Sequence, residues 1–228
     1  MGKLILKSRH RVLCGDSTDI KAVERLMDGQ KADMVFTDPP YGYKYESNYQ
    51  DKHKMLLNDD IILDFIPVCF DYMEKNSAIY LCTSHQVVDV WKPLFEKAFN
   101  YKNLIIWKKN NWSMGDLKGA YAGQHEIILF GHKGKVSLEG GRDTDIWEFK
   151  RTPPKLHPTQ KTVELIEYAI TKVMCNRVLD FFLGSGSTLI ACEKTNRKCY
   201  GMELDPKYCD VIIKRWEDYT GGKATLSK

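Results

Sequence analysis

Val178-Leu179-Asp180-Phe181-Phe182-Leu183-Gly184-Ser185-Gly186-Ser187-Thr188 decides the fold. An apolar strand ends in a carboxylate, turns through Gly-x-Gly and enters a helix. The glycines let backbone approach a ligand closely, and the carboxyl ends of parallel strands are where α/β sheets bind ligands. Downstream, residues 198–203 form the next expected strand, ending in Glu203, whose side chain can accept hydrogen bonds from ribose hydroxyls. Asp205 and Pro206 then mark a helix start, as N-cap and first helical residue. Upstream, residues 162–174 put Val163, Ile166, Ile170 and Val173 on one helical face. Helix, strand, helix, strand and helix in succession is the α/β pattern.

The same alternation starts near the N-terminus. Residues 12–14, 33–37 and 77–82 read as strands; residues 19–27, 61–73 and 87–99 read as helices, the last containing Pro93. It breaks between residues 103–107 and 126–130, two β-rich segments joined by a polar, aromatic loop, which predicts an antiparallel pair at one sheet edge. Residues 221–228 read as a frayed tail. Seven cysteines without a Cys-x-x-Cys pairing point to free thiols in a reducing cytosol. No apolar run is long enough to span a bilayer, and Lys7, Arg9, His10 and Arg11 interrupt the N-terminal apolar run too early for a secretory signal. A cytoplasmic location is expected. The net charge of +4 permits a polyanionic partner without requiring one.

A second motif, Asp38-Pro39-Pro40-Tyr41, follows the apolar run Met34-Val35-Phe36. Proline fixes φ and removes the N–H donor, so the pair makes a stiff turn. It presents an acidic acceptor, backbone carbonyls and an aromatic ring on one ledge, suited to a planar base with an exocyclic amine. A Gly-x-Gly by itself is also what a tight turn gives, and Asp180 and Glu203 by themselves could be helix-capping acids. The companion ledge favours a nucleoside cofactor. A nicotinamide dinucleotide would want a third glycine and its pyrophosphate over the helix N-terminus, but Leu189 stands there. Carboxylates at both strand ends suit a nucleoside carrying an ammonium and a sulfonium better than a diphosphate.

Together with His157-Pro158-Thr159-Gln160-Lys161, these motifs resemble the amino-DNA methyltransferases. Their order, catalytic motif before cofactor motif, resembles the circularly permuted β group, and the likeness runs from about residue 13 to residue 216. The resemblance implies a single Rossmann-like, S-adenosylmethionine-dependent α/β domain over residues 1–220. Its sheet would be mostly parallel and seven-stranded with one antiparallel edge strand. It implies S-adenosylmethionine over Gly184, Ser185 and Gly186, flanked by Asp180 and Phe181. Glu203 would hold the ribose, Asp16 would lie near the adenine, and Thr159 and Lys161 would hold the methionine end. Phe181 and Thr162 depart from the family, which usually has Pro at the first and often at the second.

In that frame Asp38 and the Pro39 carbonyl accept the two N–H bonds of the target amine, Pro40 stiffens the turn and Tyr41 stacks on the base. Transfer from sulfonium to nitrogen is direct, and no prolyl-cysteine pair of the kind used for carbon methylation of cytosine is present. His125-Glu126 lacks a second His four residues on, so no metal is expected. Adenine N6 in double-stranded DNA is the expected target. Cytosine N4, an RNA adenine and a non-catalytic nucleic-acid-binding subunit stay open. Tyr43 and Lys44 in one loop, Lys109, Asn111 and Trp112 in another, and Arg142 and Arg151 further on combine cations with stacking rings or polar groups, as nucleic-acid contacts do. Residues 108–155 would form a short target-recognition insert. A homodimer and a separate cognate endonuclease are compatible with the resemblance but not required by it.

Overall fold

Side-chain alternation along the central strands sorts the core onto two faces of one sheet. β3 (Ala32–Thr37) sends Met34 and Phe36 to one face and Val35 to the other; β4 (Met73–Thr83) sends Ala78, Tyr80 and Cys82 one way and Ile79 and Leu81 the other. Both faces of these strands are buried, as a sheet covered by helices on both sides requires. The computed structural model describes residues 3–6, 9–40, 65–113, 117–151 and 160–227.

One face is covered by α1 (Ile20–Met27), α2 (Ile66–Asp71) and α3 (Val88–Ala98), through Val23, Leu26, Cys69, Trp91 and Phe95. The other is covered by α4 (Val163–Thr171), α5 (Ser187–Lys194) and α6 (Pro206–Thr220), through Ile166, Ile170, Leu189, Ile212 and Trp216. The remaining strands are β1 (Lys3–Leu6), β2 (Arg11–Cys14), β5 (Asn100–Lys108), β6 (His125–Lys133), β7 (Ile146–Glu148), β8 (Arg177–Asp180), β9 (Lys198–Glu203) and β10 (Ala224–Ser227). Local signals hold at the helix starts. Asp19 accepts from the Lys21 N–H to cap α1, and Asp205 accepts from the Lys207 N–H ahead of Pro206.

Among the described residues the sheet has ten strands, in the order β10-β1-β2-β9-β8-β3-β4-β6-β5-β7. The seven expected strands form its centre, from β2 to β5, with β1, β10 and β7 added at the edges. The antiparallel strand is not at the edge. Among the described residues two strands run against the rest, both inside the sheet: β6, which pairs antiparallel with β4 on one side and β5 on the other while β7 lies parallel to β5 outside them, and β1, which pairs antiparallel with β2 and β10. The tail is not frayed either, since β10 pairs antiparallel with β1. β1, β7 and β10 span three or four residues each, too few to show a periodicity. α2 stops before Met73, and β4 starts earlier than expected. Lys133 Nζ donates to the Phe70 and Met73 carbonyls there, and the exposed Glu74-Lys75-Asn76 disguises the strand's first turns.

The chain leaves β8 through α5 on one face and enters β4 through α2 on the other. β8 and β3 are neighbours, with Met34 opposite Val178 and Val35 opposite Leu179. Such a reversal opens a crevice at the carboxyl ends of the two strands.

At the far side a buried histidine joins β2, β9, α5 and α6. His10 Nδ1 accepts from the Cys199 N–H (2.9 Å) and its Nε2 lies 2.7 Å from Glu193 Oε2, which also accepts from Trp216 Nε1 at 2.9 Å. An imidazole that accepts at Nδ1 is neutral. Burial lowers its pKa from 6.5, against the opposing pull of Glu193. The folded value lies below the unfolded one, so this group's contribution is full above about pH 6.5 and is lost as pH falls through the folded value. Melting temperature is therefore expected to drop between about pH 7 and pH 5, and less steeply in His10→Asn. Equal slopes in differential scanning calorimetry would remove His10 from the account.

Candidate active site

The carboxyl ends of β2, β9, β8 and β3 deliver Asp16, Glu203, Asp180 and Asp38 to one rim of the sheet. β6 runs the other way, so its first residues, His125 and Glu126, arrive at the same rim. The ends of β3 and β8 are stitched together by the Thr37 hydroxyl. It donates to Asp180 Oδ1 and accepts from the Phe181 N–H, each at 3.3 Å.

Gly184 and Gly186 both have positive φ, +52° and +81°, which glycine adopts without a steric penalty. A Cβ at Gly186 would also lie 3.2 Å from the Ile212 side chain. The turn is held from two sides. Glu203 accepts the Gly184 N–H at 2.8 Å on one oxygen and the Asp205 N–H at 2.9 Å on the other. Arg215 of α6 donates to the Ser185 carbonyl (2.9 Å), the Ser185 hydroxyl (3.3 Å) and the Ser187 hydroxyl (3.2 Å). Burial raises the Glu203 pKa against these backbone donors.

Asp180 is buried and accepts from Thr188 Oγ1 (2.6 Å) and the Phe182 N–H (3.0 Å). Burial, reinforced by the charge of Asp38, overrides those donors and pushes it up to about 7. Asp16 is half-buried beside this cradle. Its Oδ1 accepts from the Thr18 N–H and hydroxyl, both at 2.8 Å, and the Gly15 N–H bonds the Glu203 carbonyl. Three carboxylates around a glycine turn fit a cationic nucleoside, and they would repel a diphosphate. Phe181 differs from expectation, because its ring is buried against Phe65, with centroids 5.5 Å apart. Only its backbone follows the cofactor turn.

Beside the ledge runs a chain of alternating charges. Lys161, only 7% exposed, places Nζ 2.5 Å from Asp38 Oδ2 and 3.1 Å from Glu126 Oε2. Glu126 Oε1 in turn lies 2.5 Å from Lys109 Nζ. Burial would raise Glu126, but the two lysines hold it down to about 2. The Ser187 hydroxyl donates to the Lys161 carbonyl at 2.8 Å, so the first residue of α5 fixes this lysine. Glu126 and Arg215 are the functional candidates that sequence reading passed over. In the sequence Glu126 stands in half of an incomplete zinc motif, and no motif marks Arg215 within the helix that follows Pro206.

The fold thus brings together Asp16, Asp38, Pro39, Pro40, Lys161, Asp180, Gly184, Ser185, Gly186 and Glu203. Tyr41, Tyr43, Lys44 and Thr159 lie outside the described residues. Lys109, expected to meet DNA, holds Glu126 and sits 5.1 Å from the Trp107 ring centroid. Asn111 and Trp112 are exposed on the hairpin between β5 and β6, whose base is closed by Lys109 N–H to the Gln124 carbonyl and Ser113 N–H to the Gly123 carbonyl. Trp112 is 66% exposed and Tyr121 fully so. Arg151 joins this rim through its N–H to Asn110 Oδ1 (2.8 Å). Arg142 does not. β7 runs parallel to β5, so residues ahead of it lie at the opposite rim, where Asp143 pairs with Lys172 at the end of α4.

Comparison with known proteins agrees with this geometry. The family described as DNA methylase matches residues 32–215. The type II methyltransferase M.HpaI of Haemophilus parainfluenzae is 25% identical over 93% of this chain and 76% of its own length. The type II methyltransferase M2.DpnII of Streptococcus pneumoniae is 23% identical over 84% of each. Among solved structures, the M1.HpyAVI–SAM complex superposes with a TM-score of 0.71 at 26% identity, over 90% of this chain and 98% of that one. The cytosine-N4-specific PvuII DNA methyltransferase superposes at 0.69 over 92% and 87%, but at 15% identity it shares the fold alone. With a match over most of its length, and with the ledge and glycine turn side by side at one rim, the chain belongs to the DNA methylase family of amino-methyltransferases.

Proposed function

We propose that this chain transfers a methyl group from S-adenosylmethionine to the exocyclic N6 amine of adenine in double-stranded DNA, with the base turned out of the helix. The observation that carries the reading is the Thr37 bridge, which fixes the Asp38-Pro39-Pro40 ledge against the Asp180–Gly186 turn. S-adenosylmethionine, when bound, supplies a methyl group made electrophilic by its sulfonium. Glu203 would accept from the ribose hydroxyls, because each carboxylate oxygen has a second lone pair beyond the one given to Gly184 or Asp205. Asp180 would face the cationic end.

An adenine amine is a weak nucleophile because its lone pair is conjugated into the ring. Asp38 and the Pro39 carbonyl would accept its two N–H bonds and draw the nitrogen toward tetrahedral geometry. As the nitrogen gains positive charge, the Asp38 carboxylate offsets it and the surplus proton leaves through that carboxylate or water. Orientation and electrostatics carry the reaction. The exposed Trp112, Asn111 and Tyr121 on the β5–β6 hairpin would meet the DNA at the same rim. On this reading the exposed β5–β6 hairpin and Arg151 make a small recognition surface, to which Arg142 at the far rim does not belong. A second copy of the chain would lengthen the DNA contact, and a separate endonuclease of the same specificity would complete a restriction–modification pair.

The Asp-Pro-Pro-Tyr form favours adenine over cytosine by resemblance to the adenine-modifying members. Expression in a methylation-free host, followed by mass spectrometry of the DNA nucleosides, tests this. N6-methyladenine is expected; N4-methylcytosine in its place would move the reaction to the other amine.

Cofactor binding should depend on pH through Asp180. Its folded pKa is raised to about 7 from 3.8, so the folded protein holds this proton below neutrality and is about half ionised at pH 7. That contribution to stability is full below the unfolded value and is lost as pH rises through about 7. A cationic ligand prefers the ionised form, so affinity should rise by up to about tenfold per pH unit below neutrality and level off above it. Titration calorimetry of wild type and Asp180→Asn, which cannot ionise, measures the difference. Identical pH slopes would exclude Asp180 as the partner of the cationic group.

A further inference from the structure

We infer that Glu126 is a positioning residue for methyl transfer, setting the charge environment of Asp38 by sharing Lys161 with it. The inference rests on the reading of Asp38 as the acceptor of the target amine. Three residues from three parts of the chain make the arrangement: Asp38 after β3, Glu126 on β6 and Lys161 ahead of α4. Lys161 Nζ lies between two carboxylates, 2.5 Å from one and 3.1 Å from the other, and is nearly inaccessible to water. A lysine held by two carboxylates gives each less than its full charge. Glu126 draws it partly away from Asp38, and Lys109 at 2.5 Å keeps Glu126 ionised.

The consequence concerns how strongly Asp38 accepts. An Asp38 that faced Lys161 alone would be a weaker acceptor for the amine proton, since an undivided opposite charge stabilises the ionised carboxylate. Sharing keeps the carboxylate both ionised and basic enough to take that hydrogen bond. Among the described residues, the groups that face the cluster include Asp180 on β8, which adds a like charge near Asp38 once it ionises, and Cys82 on β4, whose thiol burial pushes well up. Lys108 points away to Glu148 at 2.9 Å, and the His85 and His125 rings, 5.9 Å apart, are exposed at the rim. Those groups are the same in wild type and variants, so a difference between the proteins reports the substitution.

The test compares wild type, Glu126→Gln, Glu126→Asp and Lys161→Met. Single-turnover rates on duplex DNA across pH and the carboxyl ¹³C titration of Asp38 without cofactor are both read. Glu126→Gln should lower the maximal rate about tenfold, leave KM for DNA and cofactor near wild type, and move the acidic limb of the rate profile to lower pH. Glu126→Asp should recover the limb, and Lys161→Met should move it to higher pH. The Asp38 carboxyl titration should shift in the same directions. A Glu126→Gln that loses rate or melting temperature with the limb and the Asp38 titration unmoved would make Glu126 a packing residue and overturn the inference. So would an unchanged rate and limb. If wild type methylates no base, the functional reading fails, while the carboxyl titration still decides whether Glu126 governs Asp38.

Discussion

Asp38→Ala abolishes methyl transfer, by a factor on the order of a thousand or more, while cofactor affinity stays within a few-fold of wild type. The carboxylate is the group placed to accept the amine hydrogen and to face the positive charge that develops on nitrogen, so its loss falls on the chemical step. Lys161 is left with Glu126 at 3.1 Å, so the substitution does not strand a buried charge. The cofactor turn is held by Glu203 and Arg215, which Asp38 does not touch. Asp38→Asn should be strongly impaired, because it loses the charge that offsets the developing cation, and with its one oxygen turned to Lys161 its NH₂ would face an amine that is itself a donor. Single-turnover rates and calorimetric cofactor affinity, read together, separate this outcome from general unfolding. A variant that kept a tenth of the wild-type rate would place the acceptor elsewhere.

Glu203→Ala should act on the other half of the site. It removes the acceptor proposed for the ribose and leaves the Gly184 and Asp205 N–H groups without their partner. Charged hydrogen bonds contribute about 1.5–3 kcal/mol each, and orphaned buried donors cost about 1–3 kcal/mol. Loss of both ribose bonds predicts cofactor affinity weakened by roughly a hundredfold or more, and the orphaned donors lower the melting temperature of the free protein. The rate at saturating cofactor should change far less. Glu203→Gln should fall between, since its oxygen can still receive one N–H but its NH₂ would oppose the other. This split is the inverse of the Asp38 result. A Glu203→Ala that bound cofactor normally would put the ribose somewhere else on the rim.

How much of this the sequence shows depends on how local the physics is. The Gly184–Gly186 turn, the Asp205-Pro206 helix start and the strand ending at Glu203 are written in neighbouring residues, and the fold reproduces them. The antiparallel β5–β6 pair was also legible, from two β-rich runs without a helix between. Its position inside the sheet was not, because that depends on β7, three residues whose pairing with β5 is long-range. The tail hid β10 for the same reason, since its partner β1 lies at the other end of the chain.

The site divides likewise. Asp38, Asp180 and Glu203 stand at strand ends and announce themselves. Glu126 stands at a strand start, and only the antiparallel direction of β6 carries it to the same rim. Lys109 and Arg142 read alike as exposed cations, yet one is spent on Glu126 and the other belongs to the far rim. Charge type is readable from sequence, but charge partnership is a property of the fold.

Transfer to an exocyclic amine is read in a single turnover by purified protein, with S-adenosylmethionine labelled in its methyl group and duplex DNA as acceptor. The DNA is then digested and the labelled nucleoside identified. The label should appear in N6-methyladenine with wild type and be absent with Asp38→Ala. Label at a ring carbon of cytosine, or equal label with and without the Asp38 carboxylate, would contradict transfer to an exocyclic amine held by this ledge.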